Sequence, residues 1–285
     1  EKEDLIVEAD DLLEKGDLEE SEDFYKEALG YYEEAFNIYQ RIDYPKGVIE
    51  TLQLIARVFQ YQGEYEQSLL KLEKGLVIAE THGFRGMKAK LYASFGHGYH
   101  LQYKYEDSLE FYQKSLAINQ TLENRYEEGK VCGYLGVVYQ ESGENEEAIL
   151  CFQEALKIAL EFGAKRVEGN MLEHLGKVYS SLGQSKKAAF YYQKVLELSR
   201  EMGDKRREGK TLGTLGIVHR NLGEPDEAIF YYQASLDISR EIEDKRSEGS
   251  HLGNIGVVYV GLGKYEEAIV CFQKSIKIAQ ECGDK

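Results

Sequence analysis

The chain has 285 residues, of which 42% are hydrophobic and 30% charged, and its formal net charge is -16. Its 51 acidic against 35 basic residues argue against non-specific binding to nucleic acid or to anionic membranes. The acidic N-terminus, EKEDLIVEADDLL, lacks the basic and apolar segments of a signal peptide, and no apolar run is long enough to span a membrane. We therefore expect a cytoplasmic protein. Because residue 1 is Glu and not Met, we also expect a piece of a longer chain.

The first 48 residues predict a helix pair with an irregular register. One register of small residues runs through Gly16 and Ala28, whereas the segment ALGYYEEAF fits a later one through Ala28, Tyr32 and Ala35. The shift from Ala28 to Ala35 corresponds to about two turns of a helix. We therefore predict that the second helix of this pair is elongated.

From residue 49 onward, small residues recur at intervals of 40. Three series are visible: Ala56, Gly96, Gly136, Gly176, Gly216 and Gly256; Ser68, Ser108, Ala148, Ala188, Ala228 and Ala268; and Gly63, Gly143, Gly183, Gly223 and Gly263. The apolar residues between them are spaced by three and four, as on one face of a helix, so each period holds two helices. The third series predicts where the first helix ends in the left-handed conformation. Asp204, Asp244 and Asp284 are placed to cap the next first helix.

The glycines of the first series lie inside a predicted helix, where glycine is about 1 kcal/mol less favourable than alanine. We interpret each as a close contact with an alanine of the neighbouring helix. Large side chains also recur near them, at Leu72, Tyr112, Phe152, Tyr192, Tyr232 and Phe272. A single pair would leave one face uncovered, and stacked pairs would bury it.

A charged motif returns with the same period, as GDKRREG (203–209) and then EDKRSEG (243–249). We interpret it as the joint between pairs. It supplies a capping aspartate, exposed charges, and a small residue where the next helix packs.

Two segments, LGIVHRNLGEPDEAIFYYQASL (215–236) and IGVVYVGLGKYEEAIVCFQKSI (255–276), share the pattern L-G-x-x-Y, with His219 at the ring position of the first, followed by L-G-x-x-x-x-A and a further ring. This pattern resembles the tetratricopeptide repeat and covers nearly the whole chain. The usual period of that family is about 34 residues, and the longer form resembles the Pins-type adaptor arrays. Only GNIGV (253–257) is similar to their GNLGN motif. The resemblance therefore does not justify assigning the peptide partner of those arrays to this chain.

The resemblance implies an all-α fold, a right-handed superhelical α-solenoid of about seven antiparallel helix pairs that forms a single array over residues 1–285. The approximate repeats are 1–48, 49–88, 89–128, 129–168, 169–208, 209–248 and 249–285. In the last repeat, no further repeat in the sequence could cover the face around Ile269, Phe272, Ile276 and Ile278. We therefore predict that a further helix or domain follows, or that this end associates with another copy.

The resemblance also implies that the first helices line a concave groove and that partner-binding residues lie on their free face. Carried onto this chain, the candidates are Arg57, Lys90, His97, His100, Lys130, Val137, Gln140, Lys177, Lys210, Ile217, Arg220, Asn254 and Val257. The basic candidates predict a net positive groove, and the aliphatic ones an apolar floor. We therefore predict a scaffold that binds a peptide or helical segment with apolar and acidic side chains, and neither nucleic acid nor membrane.

No motif in the sequence predicts catalysis, because the patterns of metalloproteases, P-loops, nucleophile elbows and dinucleotide-binding loops are missing. His97 and His100 share a helix face, a spacing that could hold a metal, but no carboxylate or thiol completes the set. We predict a protein that is not an enzyme and has no cofactor or metal. The alternative function is a ligand-responsive regulator whose superhelix changes pitch when a short free peptide binds.

Overall fold

A computed structural model describes residues 2–282. Within these residues it contains α-helices and turns but no strand. The helices are α1 (Lys2–Ser21), α2 (Tyr25–Arg41), α3 (Pro45–Tyr61), α4 (Tyr65–Thr81), α5 (Arg85–Leu101), α6 (Tyr105–Thr121), α7 (Arg125–Ser142), α8 (Asn145–Glu161), α9 (Lys165–Ser181), α10 (Ser185–Glu201), α11 (Lys205–Leu222), α12 (Pro225–Glu241), α13 (Lys245–Gly261) and α14 (Tyr265–Glu281). They form seven successive pairs, which confirms the predicted α-solenoid of repeated helix pairs.

The chain divides into two compact units, one ending at Cys151 and the other starting at Phe152, so the division falls within α8. In the first unit each helix from α1 to α7 packs on the next, and in the second unit the same holds from α9 to α14. None of the described helices is both long and apolar enough to cross a lipid bilayer.

The first helix of each later pair begins four residues before the predicted repeat boundary, for example at Lys205 and not at residue 209. The reason is the cap that precedes it. Side chains of Asp204 and Asp244 accept hydrogen bonds from the backbone N–H groups of Arg207 and Ser247, which satisfies donors that the helix cannot satisfy itself. Both capping predictions are therefore confirmed, and the third, Asp284, lies outside the described residues.

Every twentieth residue from Asp23 to Gly263 has a positive φ and forms the turn after a helix. The predicted glycines are among them, as at Gly63 with φ 77°. There the N–H of Glu64 donates to the carbonyl of Phe59 at 2.8 Å, the long-range bond of a Schellman motif. The sequence pattern predicts only the turns that connect the two helices of one pair. The turns between pairs use the same geometry, in part with the non-glycine residues Asp43, Glu123 and Glu243.

The predicted elongation of α2 is wrong, because α2 has 17 residues, as α4 does. Asp23, with φ 64°, occupies the turn position that glycine fills elsewhere, and aspartate is one of the residues that tolerate this conformation. The first pair follows the regular register, since Gly16 lies against the ring of Tyr32.

The first-series glycines accommodate rings of the second helix, a contact that the sequence pattern does not predict. A Cβ atom added to Gly216 would lie 2.6 Å from the ring of Tyr232, and one added to Gly256 would lie 2.8 Å from that of Phe272. Both distances are too short for real atoms, so only glycine fits beside an aromatic ring here. Where the second helix carries the smaller Leu72, the first helix carries Ala56, and the two share one buried cluster.

The charged joint motif contains a buried carboxylate, which corrects the prediction that its charges are all exposed. Glu208 and Glu248 are 7% and 6% exposed. The Arg240 Nε atom lies 2.8 Å from Glu248 Oε1, and the Lys245 Nζ atom 2.9 Å from its Oε2. Hydrogen bonds from Arg240 and Lys245 hold the pKa of Glu248 below its usual value. The motif therefore ties the end of one pair to the start of the next.

We expect Gly216→Ala to lower the free energy of unfolding by about 1–3 kcal/mol, because the added methyl group overlaps Tyr232. Combining it with Tyr232→Leu should recover part of this loss, since the pair then matches Ala56 and Leu72. Chemical denaturation followed by circular dichroism measures the four proteins of this double-mutant cycle.

The control is Gly86→Ala in α5, where an added Cβ atom meets nothing within 4 Å. This variant should be as stable as the original or more stable by up to about 1 kcal/mol. Strictly additive effects of Gly216→Ala and Tyr232→Leu would contradict the proposed fit between glycine and ring.

Candidate functional site

Four of the predicted binding residues meet in the first unit. Arg57 on α3, Lys90 and His97 on α5, and Lys130 on α7 line one cavity of about 410 Å³. They come together because α3 contacts α5 directly and α6 packs against both α5 and α7. The stacking of repeats therefore brings residues that are distant in the sequence together in one site.

The cavity is lined by three cations, Arg57, Lys90 and Lys130, and two carboxylates, Glu50 and Glu127. The Lys130 Nζ atom lies 3.2 Å from Glu127 Oε1 and 5.7 Å from the centre of the Tyr126 ring. Lys90 is exposed and has no ion-pair partner among residues 2–282. The lining itself carries one more cation than carboxylates, and Lys90 is the lining cation that forms no ion pair with any of residues 2–282.

Arg57 is held by the first helix pair. Its Nε atom lies 2.7 Å from Glu20 Oε1, and its Nη2 atom 2.8 Å from Glu20 Oε2 and 3.0 Å from Asp17 Oδ1. Burial opposes the charge, but the hydrogen bonds to Glu20 outweigh it and raise the pKa of Arg57. A partner carboxylate at Arg57 would therefore compete with Glu20.

A buried amide fixes one wall of the cavity. Gln60 is 3% exposed, and its Nε2 donates to the backbone carbonyl of Ser94 at 3.0 Å. Its Oε1 accepts from His97 Nδ1 at 2.9 Å, so the other ring nitrogen of a neutral His97 is left as an acceptor. Burial lowers the pKa of His97, which favours this neutral form. Gln53 adds a 2.7 Å hydrogen bond to the Ser94 hydroxyl.

In the second unit, three cations converge on one carboxylate. Glu173 Oε1 lies 2.9 Å from Lys210 Nζ and 3.2 Å from Lys177 Nζ. Its Oε2 lies 3.3 Å from Arg207 Nη2. Burial would raise the pKa of Glu173, but Lys210 and Lys177 outweigh it and bring the pKa to about 2. Two of the predicted binding lysines therefore share a single internal partner.

A second cavity, of about 300 Å³, lies beside this cluster and is lined by Lys210, Ile217 and Asn254 among the predicted residues. Ile217 is 39% exposed, so this side of the unit offers apolar surface next to a lysine. The predicted residues that do not line either cavity are His100, Val137, Gln140, Lys177, Arg220 and Val257. Of these, His100 bonds through Nε2 to Glu141 at 2.8 Å, and Val257 is 47% exposed.

Ser235 and His251 lie as close as a nucleophile and its base, with 2.8 Å between the serine hydroxyl and His251 Nε2. Ser235 is fully buried, however, and its hydroxyl donates to the carbonyl of Gly209 at 2.6 Å. The equivalent Ser275 bonds to Gly249 at 2.8 Å without a histidine. The serine therefore joins two helices of a pair, and the contact does not form a catalytic site. Residues 2–282 also contain no group of three or more His, Cys, Asp or Glu side chains suited to a metal ion.

Comparison with protein families gives one match. The model described as "Tetratricopeptide repeat" matches residues 8–81, 87–161, 131–201 and 207–281, which is more than half of the chain. A search of curated proteins gives no match.

Several solved structures share the fold at low sequence identity. The apo form of RapI aligns with a TM-score of 0.82 and 16% identity over 96% of this chain and 77% of that chain. A signal-transduction ATPase with a tetratricopeptide repeat sensor from Pyrococcus horikoshii aligns at 0.79 and 19% identity, over 99% of this chain and 44% of that chain. A Rap protein complexed with Competence and Sporulation Factor aligns at 0.62 and 17% identity, over 96% and 75%.

We expect Glu173→Gln to destabilise the protein at pH 7 by about 1–2 kcal/mol, because three cations lose their shared carboxylate. The pKa of Glu173 is lowered from 4.5 to about 2. Its contribution is therefore complete above pH 4.5 and is lost as the pH falls towards 2. Urea denaturation of both proteins at several pH values between 7 and 2 measures the difference.

Glu197→Gln on the exposed side of α10 is the matched control, and it should leave stability nearly unchanged at every pH. A stability difference for Glu173→Gln that stayed constant down to pH 2 would show that the ion pairs do not cause it.

Proposed function

The chain belongs to the tetratricopeptide repeat family, whose model covers more than half of its residues, and we propose that it is a non-catalytic interaction scaffold. On this proposal, it binds a protein segment with apolar and acidic side chains along the free side of its first helices. The observation that carries the proposal is the cavity of the first unit, where Lys90 has no ion-pair partner among residues 2–282.

The lining of this cavity supports a ligand of mixed character. Leu54, Ala93 and Val131 contribute apolar surface next to Lys90 and Lys130. An acidic side chain entering the cavity would pair with Lys90 while an adjacent apolar side chain covers the aliphatic lining. Both an extended peptide and an amphipathic helix can present such a combination.

In the second unit, Lys210 and Ile217 line the same cavity, where Lys210 is paired with Glu173. Val257, on the next first helix, adds a further exposed aliphatic side chain. The net charge of -16 favours a protein partner over nucleic acid, because a polyanion would be repelled by most of the surface.

We further propose a cytoplasmic location. None of the four cysteines, all within the described part of the chain, forms a disulfide. Burial raises the pKa of Cys151 to about 11, so this thiol resists ionisation and oxidation. Reduced thiols are typical of proteins from a reducing compartment.

Selection from a library of random peptides tests the scaffold proposal. Peptides retained by the protein should combine Asp or Glu with aliphatic residues. Lys90→Glu combined with Lys130→Glu should weaken binding of the selected peptides at least tenfold, because two attractive charges become repulsive. Binding is measured by fluorescence anisotropy at low and at physiological salt, and it should weaken as salt increases.

The matched control carries the same two charge reversals on exposed positions of α2 and α4, Lys26→Glu and Lys74→Glu. It should bind the selected peptides as the original protein does. Equal weakening by both pairs of substitutions would show that only the overall charge matters. Unchanged binding by the Lys90 and Lys130 variant would place the site elsewhere.

A second candidate is a regulator whose helical array changes shape on binding a short free peptide. One of the solved structures with this fold is a complex with Competence and Sporulation Factor, which supports considering it. A regulator should change its radius of gyration in small-angle X-ray scattering when a selected peptide saturates it. A scaffold of fixed shape should keep the same radius within error, because this measurement reports the shape of the whole chain.

A further inference from the structure

One side of α14 carries a stripe of apolar side chains that no described helix covers. Tyr265, Ile269 and Ile276 are 65%, 54% and 57% exposed, and Phe272 lies half-buried between them. Their spacing of four, three and four residues places them on one line along the helix. Three large exposed apolar groups in one line are characteristic of an interface.

The preceding helix pair shows how an equivalent stripe is covered within the array. In α12, the equivalent residues Tyr232 and Leu236 are 0% and 2% exposed. Both belong to one buried cluster with Leu252 and Ile255 of α13. The stripe of α14 therefore has the form of a surface that accepts a helix.

Two charges beside the stripe indicate which helix fits. Glu266 and Lys277 are both exposed, and neither has an ion-pair partner within residues 2–282. They are separated by about three helical turns and so lie on the same side of the stripe. The midpoint between them falls next to Phe272, at the centre of the stripe.

We propose that α14 docks on α14 of a second copy of this chain, with the two helices antiparallel and a two-fold axis near Phe272. In this arrangement Glu266 of each copy faces Lys277 of the other, and Ile269 packs near Ile276 across the axis. The surface is therefore complementary to itself, as a two-fold interface requires.

The mass of the 285-residue chain in solution tests this inference. Sedimentation equilibrium from about 1 to 200 µM should show a rise from the monomer mass of 32.6 kDa to twice that value, since interfaces of this small size bind weakly. Glu266→Lys and Lys277→Glu should each weaken dimerisation about tenfold, because two ion pairs become two repulsions. Ile269→Asp should abolish it.

The decisive variant combines Glu266→Lys with Lys277→Glu. It restores opposite charges across an antiparallel pair, so its dimerisation should return to that of the original chain. Glu197→Lys on α10, outside the stripe, is the control and should leave dimerisation unchanged. Circular dichroism verifies that every variant remains folded.

Three results would overturn the proposal. A chain that stays monomeric at 200 µM leaves the stripe to a different protein or to a following segment. A dimer that is insensitive to Ile269→Asp uses another surface. A combined variant that is as weak as either single charge reversal excludes the antiparallel register. None of these results bears on peptide binding, so the scaffold proposal is tested separately.

Discussion

The contact between a ring on the second helix of a pair and a bare glycine backbone on the first determines the packing of this molecule. Tyr232 and Phe272 occupy space that a Cβ atom on Gly216 or Gly256 would need. The ring thereby fixes both the distance between the two helices and their register along the axis. The contact recurs in several pairs, since Gly16, Gly96 and Gly176 also lie against rings of their second helices. The residues of the candidate site come from three first helices, α3, α5 and α7, of which α3 has Ala56, paired with Leu72 of α4, in place of glycine and ring.

Four cations of the candidate site are already engaged within the molecule, whereas Lys90 forms no ion pair with a described residue. Arg57 is bound by Glu20, and Lys130 by Glu127, while Lys177 and Lys210 share Glu173. A partner carboxylate would replace an internal one at these positions, so the exchange contributes little net free energy. Affinity would then come mainly from Lys90 and from buried apolar surface. The paired cations would select the position of the partner's charges.

Much of the fold follows from the sequence, because a strict period of 40 residues fixes the number of helices and the glycine turns. The period does not show which side chains of the two helices in a pair are in contact. The sequence therefore reveals the recurring rings of the second helices, but not their contacts with the glycines of the first helices. The turn at Asp23 was missed because aspartate there adopts the conformation that glycine adopts elsewhere. The pairing of Arg57 was missed for a related reason. Glu20 has no acidic counterpart one period later, where Gln60 stands.

The uniform turn spacing has a consequence for how such a chain can change in length. Most helices have 17 residues and are followed by three-residue turns, so each 20-residue segment has nearly the same backbone geometry. Loss or duplication of one segment would preserve every turn, but it would place a second helix where a first helix belongs and set ring against ring. A change of 40 residues restores the match between glycine and ring. Recombination within the gene can therefore add or remove whole pairs and leave the remaining joints intact.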